Sequence, residues 1–331
     1  MGVGGALAKV PILLDTDIGT NVDDALALAY LLGHADCELL GISTVSGDVR
    51  RRAACAEALC EAAGREPIPI HCGSPGPLLT GPGQPAAPLY ESVKHRRPRL
   101  DRDLGTAVEF LRATVRSRPN EITLLTIGPL TNVALLFALD PEVPSLLKAI
   151  VSMAGVYFPH ERPVETNVLT DPVAAAIVFR ATARPQAPPH LLVGLNVTTR
   201  CTMTVDDLRK RLRGAPPPAD VLLEMLESWQ RRKRHVTFND PLAAAVALRP
   251  ELCTWEPGAV MMNVAERGDA AAHTFFAPAR DVPQYAGSQR VAKGVRVAPF
   301  FEEFFAAIRD GAIIPPADDA RGPADDVRPR L

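Results

Sequence analysis

The sequence of 331 residues lacks a large net charge, closely spaced cysteine pairs and long apolar runs. A formal net charge of −2 provides no basic field that would attract nucleic acid or an anionic membrane. The six cysteines form no CxxC pair and no zinc-like spacing with histidine, which predicts reduced, mostly buried thiols in a cytoplasmic protein. No segment approaches the ~20 apolar residues of a membrane span, and the N-terminus resembles neither a signal peptide nor a myristoylation site. These absences favour a soluble intracellular protein without nucleic-acid or membrane partners.

Short apolar segments alternate with longer amphipathic ones through the first two thirds of the chain. Predicted strands cover 10–14, 38–45, 67–73, 121–128, 148–155 and 190–197, and predicted helices cover 23–33, 51–63, 103–117, 131–139 and 171–180. This alternation predicts an α/β fold with a mostly parallel sheet and helices on both faces. The C-terminal third predicts helices at 205–212, 219–234, 240–248 and 299–310, and β-like segments at 258–265, 271–276 and 289–297. We expect one domain over 1–312 and a disordered, Pro/Ala/Asp/Arg-rich tail over 313–331.

Clusters of basic residues occur at 50–52, 96–97 and 231–234. The first cluster lies at the start of the helix predicted at 51–63. Since the chain has no global basic charge, we interpret all three clusters as solvated faces of helices or loops rather than as sites for a polyanion.

Four aspartates fall within ten residues of the segment ILLDTDIGTNVDDALALAYLL, which covers 12–32. Asp15 and Asp17 follow a predicted strand, and Asp23 and Asp24 begin the next predicted helix. Two acids in the first turn of a helix are favourable by themselves. Two more carboxylates within ten residues would repel them, so the crowding indicates a bound cation.

Other polar residues follow the predicted strands at the same edge of the sheet, where open parallel sheets bind their ligands. They are Ser46 and Asp48, Thr131 and Asn132, Glu165 and Asn167, and Asn239 and Asp240 at the start of a later helix. Taken alone, Asp240 would be a helix cap and Met153 a core residue. Together, these carboxylate and amide oxygens suit a hard divalent cation, Ca²⁺ or Mg²⁺, and a polyhydroxylated ligand.

Five motifs resemble, in this order, those of the inosine-uridine-preferring nucleoside hydrolases: ILLDTDIGTNVDDALAL, TVSGD, IGPLTNVAL, SMAG with VETNVLTDPVAA, and FNDPLAAAVAL. The resemblance covers residues 10 to 310. It implies a Rossmann-like single domain, a tightly bound Ca²⁺ cofactor, and hydrolysis of the N-glycosidic bond of ribonucleosides. It also implies a homodimer or homotetramer.

The resemblance implies a role for each residue that matches a motif. The metal would be bound by Asp17, which would also be the general base toward water, and by Asp24, Asp240 and the Ile127 carbonyl, with Asp15 as a supporting carboxylate. Ribose would be bound by Asp23, Met153, Glu165 and Asn167. These roles fit the chemistry, because loss of a nucleobase leaves an oxocarbenium-like ribosyl cation that negative oxygens stabilise.

Three departures from the family pattern concern the site. The spacing from Asp17 to Asp23 is six residues, longer than in the family's commonest form. At the substrate-binding position Asp48, a carboxylate replaces the usual ribose-binding asparagine. At the catalytic position Asn239, the usual residue is a histidine that assists the leaving base in relatives that accept pyrimidines. His95 aligns loosely with another leaving-group histidine, His235 is a weaker candidate, and the loops 74–100 and 220–238 should cover the base.

Two other functions are compatible with parts of the sequence. Haloacid-dehalogenase-like phosphatases also place DxD after a first strand, but the lysine and the late acidic pair that they need are not apparent. A non-catalytic ribose- or nucleoside-binding member of the same fold would explain Asn239, whereas the retained aspartates favour an enzyme. An EF-hand is excluded, because position twelve of that loop would be Leu26, where a bidentate acid is required.

Overall fold

The computed structural model describes residues 8–64, 67–158, 164–184, 186–230, 233–262, 264, 271–283 and 288–310. The strands are β1 (Val10–Thr16), β2 (Cys37–Thr44), β3 (Ile70–Cys72), β4 (Thr123–Thr126), β5 (Ala149–Met153), β6 (His190–Val193), β7 (Thr202–Thr204), β8 (His235–Thr237), β9 (Cys253–Met262), β10 (Thr274–Pro278) and β11 (Gln289–Val295). The helices are α1 (Asp23–Gly33), α2 (Val49–Ala62), α3 (Tyr90–Val93), α4 (Ala107–Ser117), α5 (Thr131–Leu139), α6 (Val143–Leu146), α7 (Thr166–Thr170), α8 (Pro172–Thr182), α9 (Leu195–Thr198), α10 (Val205–Leu212), α11 (Ala219–Gln230), α12 (Asn239–Leu248) and α13 (Val297–Asp310). Short 3-10 helices occupy Lys94–Arg96 and Pro250–Leu252.

Nine of these strands form one sheet in the order β10-β9-β11-β6-β5-β4-β1-β2-β3. The seven strands from β11 to β3 are parallel to one another. At the other edge, β9 pairs antiparallel with both β11 and β10. A separate antiparallel pair joins β7 to β8. The predicted mostly parallel α/β sheet is confirmed.

Both faces of the sheet carry a hydrophobic core. Successive residues of a strand point to opposite faces, and the central strand β1 follows this rule. Ile12 and Leu14 pack in the core that contains α1 and α12, whereas Leu13 packs in the core that contains α5 and α8. Strand β4 divides in the same way between Leu124 and Leu125. Helices therefore cover both faces, as the buried strand sequences predicted.

The predicted bounds of three helices are those observed. They are α1, α5 and α10. The strand predicted over 190–197 is too long, because β6 ends at Val193 and α9 begins two residues later. Helix α7, of five residues, was not predicted, since it contains too few residues for a helical period to be visible. The tail predicted to be disordered, 313–331, lies outside the described residues.

The interpretation of the basic cluster at 50–52 as a solvated face is wrong for Arg52, which is completely buried. Arg52 lies on the same helical face as Val49, Ala53 and Ala56, which are also buried. The spacing of three and four residues along α2 turns this position inward. The prediction of buried thiols is confirmed, because all six cysteines are free and buried.

Helix α1 is enclosed by its neighbours, and ten of its eleven residues are buried. At its C-terminal end Gly33 faces α13 so closely that an added Cβ would lie 2.3 Å from the carbonyl oxygen of Ala307. Nearby, Tyr30 stacks on Phe304 with ring centroids 5.9 Å apart and donates a hydrogen bond to Glu303. These contacts hold the helix whose first turn carries Asp23 and Asp24.

Gly33→Ala should lower the free energy of unfolding by about 1–3 kcal/mol, because a backbone oxygen cannot move aside for the new methyl group. Urea denaturation measures this directly. Gly76→Ala is the matched control, since no atom lies within 4 Å of an added Cβ there. Equal stabilities for the two variants would contradict the described α1–α13 contact.

Candidate active site at the carboxyl edge of the sheet

The ends of neighbouring parallel strands bring the first two aspartates to one edge of the sheet. Asp15 is the partner of Ser43 on β2 and of Thr126 on β4, and Thr126 is the partner of Ser152 on β5. Asp17 follows β1 directly. Parallel strands end side by side, so residues distant in sequence become neighbours here.

Asp15 is buried and holds the strand ends together. Its Oδ1 accepts hydrogen bonds from Ser43 Oγ at 2.5 Å and from Asn132 Nδ2 at 2.7 Å. Asn132 also donates to the Thr44 carbonyl and accepts from the Ser74 amide. The Oδ2 of Asp15 has no hydrogen-bond partner among the described residues. Burial raises the pKa of this carboxyl to about 7.

Three further carboxylates meet at the beginnings of two helices. One oxygen each from Asp23, Asp24 and Asp240 lies within 4.8 Å of the other two, and all three residues are buried. Asp23 and Asp24 begin α1, and Asp240 lies in the first turn of α12. The partial positive charge of a helix N-terminus favours carboxylates at both places. Thr16 Oγ1 donates to Asp24 at 2.6 Å.

Asp17 lies beside this group: after burial, its charge is the largest cause of the raised pKa of the Asp24 carboxyl. Burial raises the pKa of Asp17, while the charge of Arg52 and a hydrogen bond from the Gln84 side chain oppose that rise. The sequence assigned Asp17, Asp24 and Asp240 to the metal and Asp23 to ribose. Asp23 belongs to the three-carboxylate group, and Asp17 lies beside it. The residues assigned to the metal and the residue assigned to ribose therefore form one cluster.

Glu165, Asn167 and Met153 lie together on the β5 side of the cluster. Glu165 caps α7 by accepting from the amides of Asn167 and Val168, and burial raises the pKa of its carboxyl to about 7. Asn167 Nδ2 donates to the carbonyls of Ile127, at 2.9 Å, and Met153, at 3.0 Å. The Ile127 carbonyl, expected to bind metal, therefore already accepts one hydrogen bond and retains a second lone pair.

Asn239 links two sides of the site. Its Nδ2 donates to Asp23 Oδ2 at 2.9 Å, and its Oδ1 accepts from the Thr198 hydroxyl at 2.8 Å. The amide thus supplies a neutral donor to Asp23, whose pKa burial raises to about 6 while this hydrogen bond opposes the rise.

Asp48, His95 and His235 have partly or largely exposed side chains, unlike the buried aspartates. Asp48 caps α2 through the Arg51 amide, and its side chain is 41% exposed. The His95 side chain is 61% exposed, with Nε2 3.6 Å from Glu224 on α11. Neighbouring Arg96 also bonds Glu224 and so joins the loop to α11. His235 is exposed at the start of β8.

Sequence reasoning did not assign a role to three polar residues that contact the aspartates. Asn132 bonds Asp15, and Gln84 and Arg52 contact Asp17. The position of Asn132 after a strand was noted without a role. Burial of Arg52 could have been found from the helical period of α2. Gln84 lies in a loop rich in Pro and Gly, where no periodic signal exists.

The donors present fit a hard divalent cation. Three buried carboxylates can each offer one oxygen to a single ion. At the neighbouring strand end, the buried Oδ2 of Asp15 has no hydrogen-bond partner among the described residues. Burial is the largest cause of the raised pKa of Asp240. The negative charges of Asp23, Asp24, Asp17 and Glu165 raise this pKa further. A cation would relieve this mutual repulsion.

A family model described as "Inosine-uridine preferring nucleoside hydrolase" matches residues 12–302. The chain belongs to this family. It is therefore an N-glycosyl hydrolase, and the phosphatase alternative is wrong. The nucleoside hydrolase fold expected from the motifs is confirmed.

Named relatives of this nucleoside hydrolase differ in their base preference. "Uridine nucleosidase 1" of Arabidopsis thaliana is 31% identical over 281 residues, covering 80% of this chain and 81% of the relative. "Non-specific ribonucleoside hydrolase" of Escherichia coli is 30% identical, with 75% and 82% coverage. The solved "Purine-Preferring Ribonucleoside Hydrolase from Gardnerella vaginalis" superposes with a TM-score of 0.76 at 26% identity, covering 91% of this chain and 99% of that one. Family membership therefore does not determine the base. Within the described ranges, no helix of this hydrolase is long and apolar enough to cross a membrane.

The metal-free enzyme should be more stable at pH 5.5 than at pH 8, by at least about 1 kcal/mol. Burial raises the pKa values of Asp15 and Glu165 to about 7 and of Asp23 to about 6, so the folded state binds protons that the unfolded state, with values near 4, does not. Stability therefore rises as pH falls through this window. Buried His190 acts in the opposite direction, because burial lowers its pKa to about 3, but it is one group against several.

Chemical denaturation of chelator-treated protein at the two pH values measures the difference. Saturating Ca²⁺ should reduce or reverse it, since the cation stabilises the ionised carboxylates. Greater stability at pH 8 without metal would contradict the described burial of these groups.

Proposed function

We propose that this enzyme hydrolyses ribonucleosides with the help of a Ca²⁺ ion held by Asp17, Asp24, Asp240 and the Ile127 carbonyl. The observation that carries the proposal is the buried group of Asp23, Asp24 and Asp240 beside Asp17 in a member of this hydrolase family. A bound divalent cation would lower the pKa of water and stabilise the ionised carboxylates. Oxygen-only donors favour Ca²⁺ over softer metals.

In the proposed reaction the chain's own residues bind ribose and transfer the protons. Asp23, Glu165, Asn167 and Met153 hold the sugar, and Asp17 accepts a proton from the attacking water. A C1′–O bond forms as the C1′–N bond breaks, and the electron pair of the C1′–N bond leaves with the base. The surrounding carboxylates stabilise the positive charge that develops on the ribosyl group.

The leaving base must also gain a proton. Asn239 cannot supply one, because a carboxamide does not titrate near neutral pH. His95 is the proposed donor, on a loop that Arg96 joins to α11. Asp48 stays a predicted ribose contact, and a cytoplasmic homodimer or homotetramer stays the predicted form of the enzyme.

Ribose release from inosine, adenosine, guanosine, uridine and cytidine tests the proposal. The wild-type protein should hydrolyse at least one of them, lose activity with a chelator and regain it with Ca²⁺. Asp17→Asn should lower kcat at least about 100-fold, because the amide cannot accept the proton. Asp140→Asn is the control, since this buried carboxylate pairs with Arg116 instead. No release from any nucleoside, together with tight Ca²⁺ and ribose binding, would favour a binding protein.

Asn239→His tests the origin of base preference. If a missing proton donor limits pyrimidine release, the variant should raise kcat/KM for uridine relative to inosine, by about tenfold or more. Asn239→Leu is the matched control, because it also removes the hydrogen bond to Asp23 but offers no proton. An equal loss with both substrates in both variants would show that Asn239 acts only through Asp23.

A further inference from the structure

Arg52 is a buried arginine in direct contact with the main chain at Asp17. It is completely buried, and every nitrogen of its guanidinium donates a hydrogen bond. Nη1 donates to the Asp17 carbonyl, to the Ile18 carbonyl at 3.2 Å and to the Thr20 hydroxyl at 2.9 Å. A buried charge is expensive to desolvate, so such complete bonding is required for it to be tolerated.

The guanidinium joins three separate segments at the edge of the sheet. Besides residues 17–20 after β1, Nε donates to the Ser46 carbonyl at 2.6 Å and Nη2 to the Gln84 carbonyl at 2.8 Å. Gln84 in turn donates its amide to Ser46 Oγ at 3.0 Å. One side chain of α2 therefore fixes the loops after β1 and β2 and the loop that carries Gln84.

The loop that Arg52 holds is the long connection between Asp17 and Asp23. Ile18, Thr20 and Gly19 lie in this six-residue spacing, and Gly19 has φ +112°. A flexible connection of this length would leave the direction of Asp17 poorly defined, because each free backbone residue has many conformations available. The fixed fork of the guanidinium removes that freedom at Asp17, Ile18 and Thr20 together.

We propose that Arg52 is a positioning residue of the metal site, which holds the Asp17 main chain so that the Asp17 carboxylate faces Asp24. Its charge also lies beside the buried carboxylates and opposes the rise in their pKa values that burial causes. The inference rests on the metal site of the proposed function, but it predicts a property that is measurable without a nucleoside. Among the described residues, no hydrogen bond joins Arg52 to Asp23, Asp24 or Asp240.

Ca²⁺ titration calorimetry on Arg52→Met and Arg52→Lys tests the inference. Arg52→Met should bind Ca²⁺ at least tenfold more weakly and lower kcat, with little change in KM, because the proposed ribose contacts are not bonded to Arg52. Arg52→Lys keeps a charge but has one nitrogen for three segments, so its Ca²⁺ affinity should lie between those of Arg52→Met and the wild type. Methylguanidinium should restore Ca²⁺ binding in Arg52→Ala.

Arg102→Met is the control for a merely structural effect. Arg102 also contacts α2, through Glu57 at 2.5 Å, and its side chain is only 11% exposed. It should lose stability yet retain wild-type Ca²⁺ affinity and kcat. All affinities are measured well below each variant's Tm, so that only folded protein is compared.

The inference is wrong if Arg52→Met keeps the Ca²⁺ affinity and kcat of the wild type. If Arg52→Met does not fold, wild-type Ca²⁺ affinity and kcat in Arg52→Lys would overturn it instead. A wild-type protein that binds Ca²⁺ but hydrolyses no nucleoside would refute the proposed function and leave the role of Arg52 to the titrations. A wild-type protein that binds no divalent cation would refute both.

Discussion

Mutual repulsion of buried carboxylates is the constraint on which the arrangement of this sheet edge depends. Burial raises the pKa of each of these carboxyl groups, because it disfavours the ionised form. The charges of Asp17, Asp23, Asp24 and Glu165 raise the pKa of Asp240 further. Helix N-termini, amide donors and one buried guanidinium offset part of this cost. Such a cluster persists only because extensive apolar cores on both faces of the sheet stabilise the elements that carry it.

Much of this arrangement follows from patterns that are visible in the sequence. Apolar periodicity predicted α1 and α5 with their observed bounds, and placed Asp15 at the end of a buried strand. Parallel strands end at a common edge, so Asp15, Asn132 and Asn167 were expected near one another before any contact was known. Motif resemblance added the assignment of roles, which neither periodicity nor spacing contains.

Contacts made by irregular segments could not be predicted in this way. Gln84 reaches Asp17 from a loop rich in Pro and Gly, whose path depends on what it packs against rather than on local preference. Arg52 was interpreted as solvated together with the rest of its basic cluster, since the chain has no global basic charge, although the helical period indicated burial. The buried charge of Arg52 is stabilised by hydrogen-bond acceptors on three separate segments of the chain. No local sequence pattern reveals these acceptors.

The pairing of α1 with α12 also determines when the site can assemble during synthesis. Asp23 and Asp24 leave the ribosome more than 200 residues before Asp240 and α12. Until then, the side of α1 that packs against α12 has no native cover, and Asp23 and Asp24 lack the neighbouring charge of Asp240. Contacts of such long sequence separation form late and slow the folding of the chain. A nascent chain that stops before α12 therefore exposes both an apolar surface and an incomplete acidic cluster, and exposed apolar surface makes incompletely folded chains prone to aggregate.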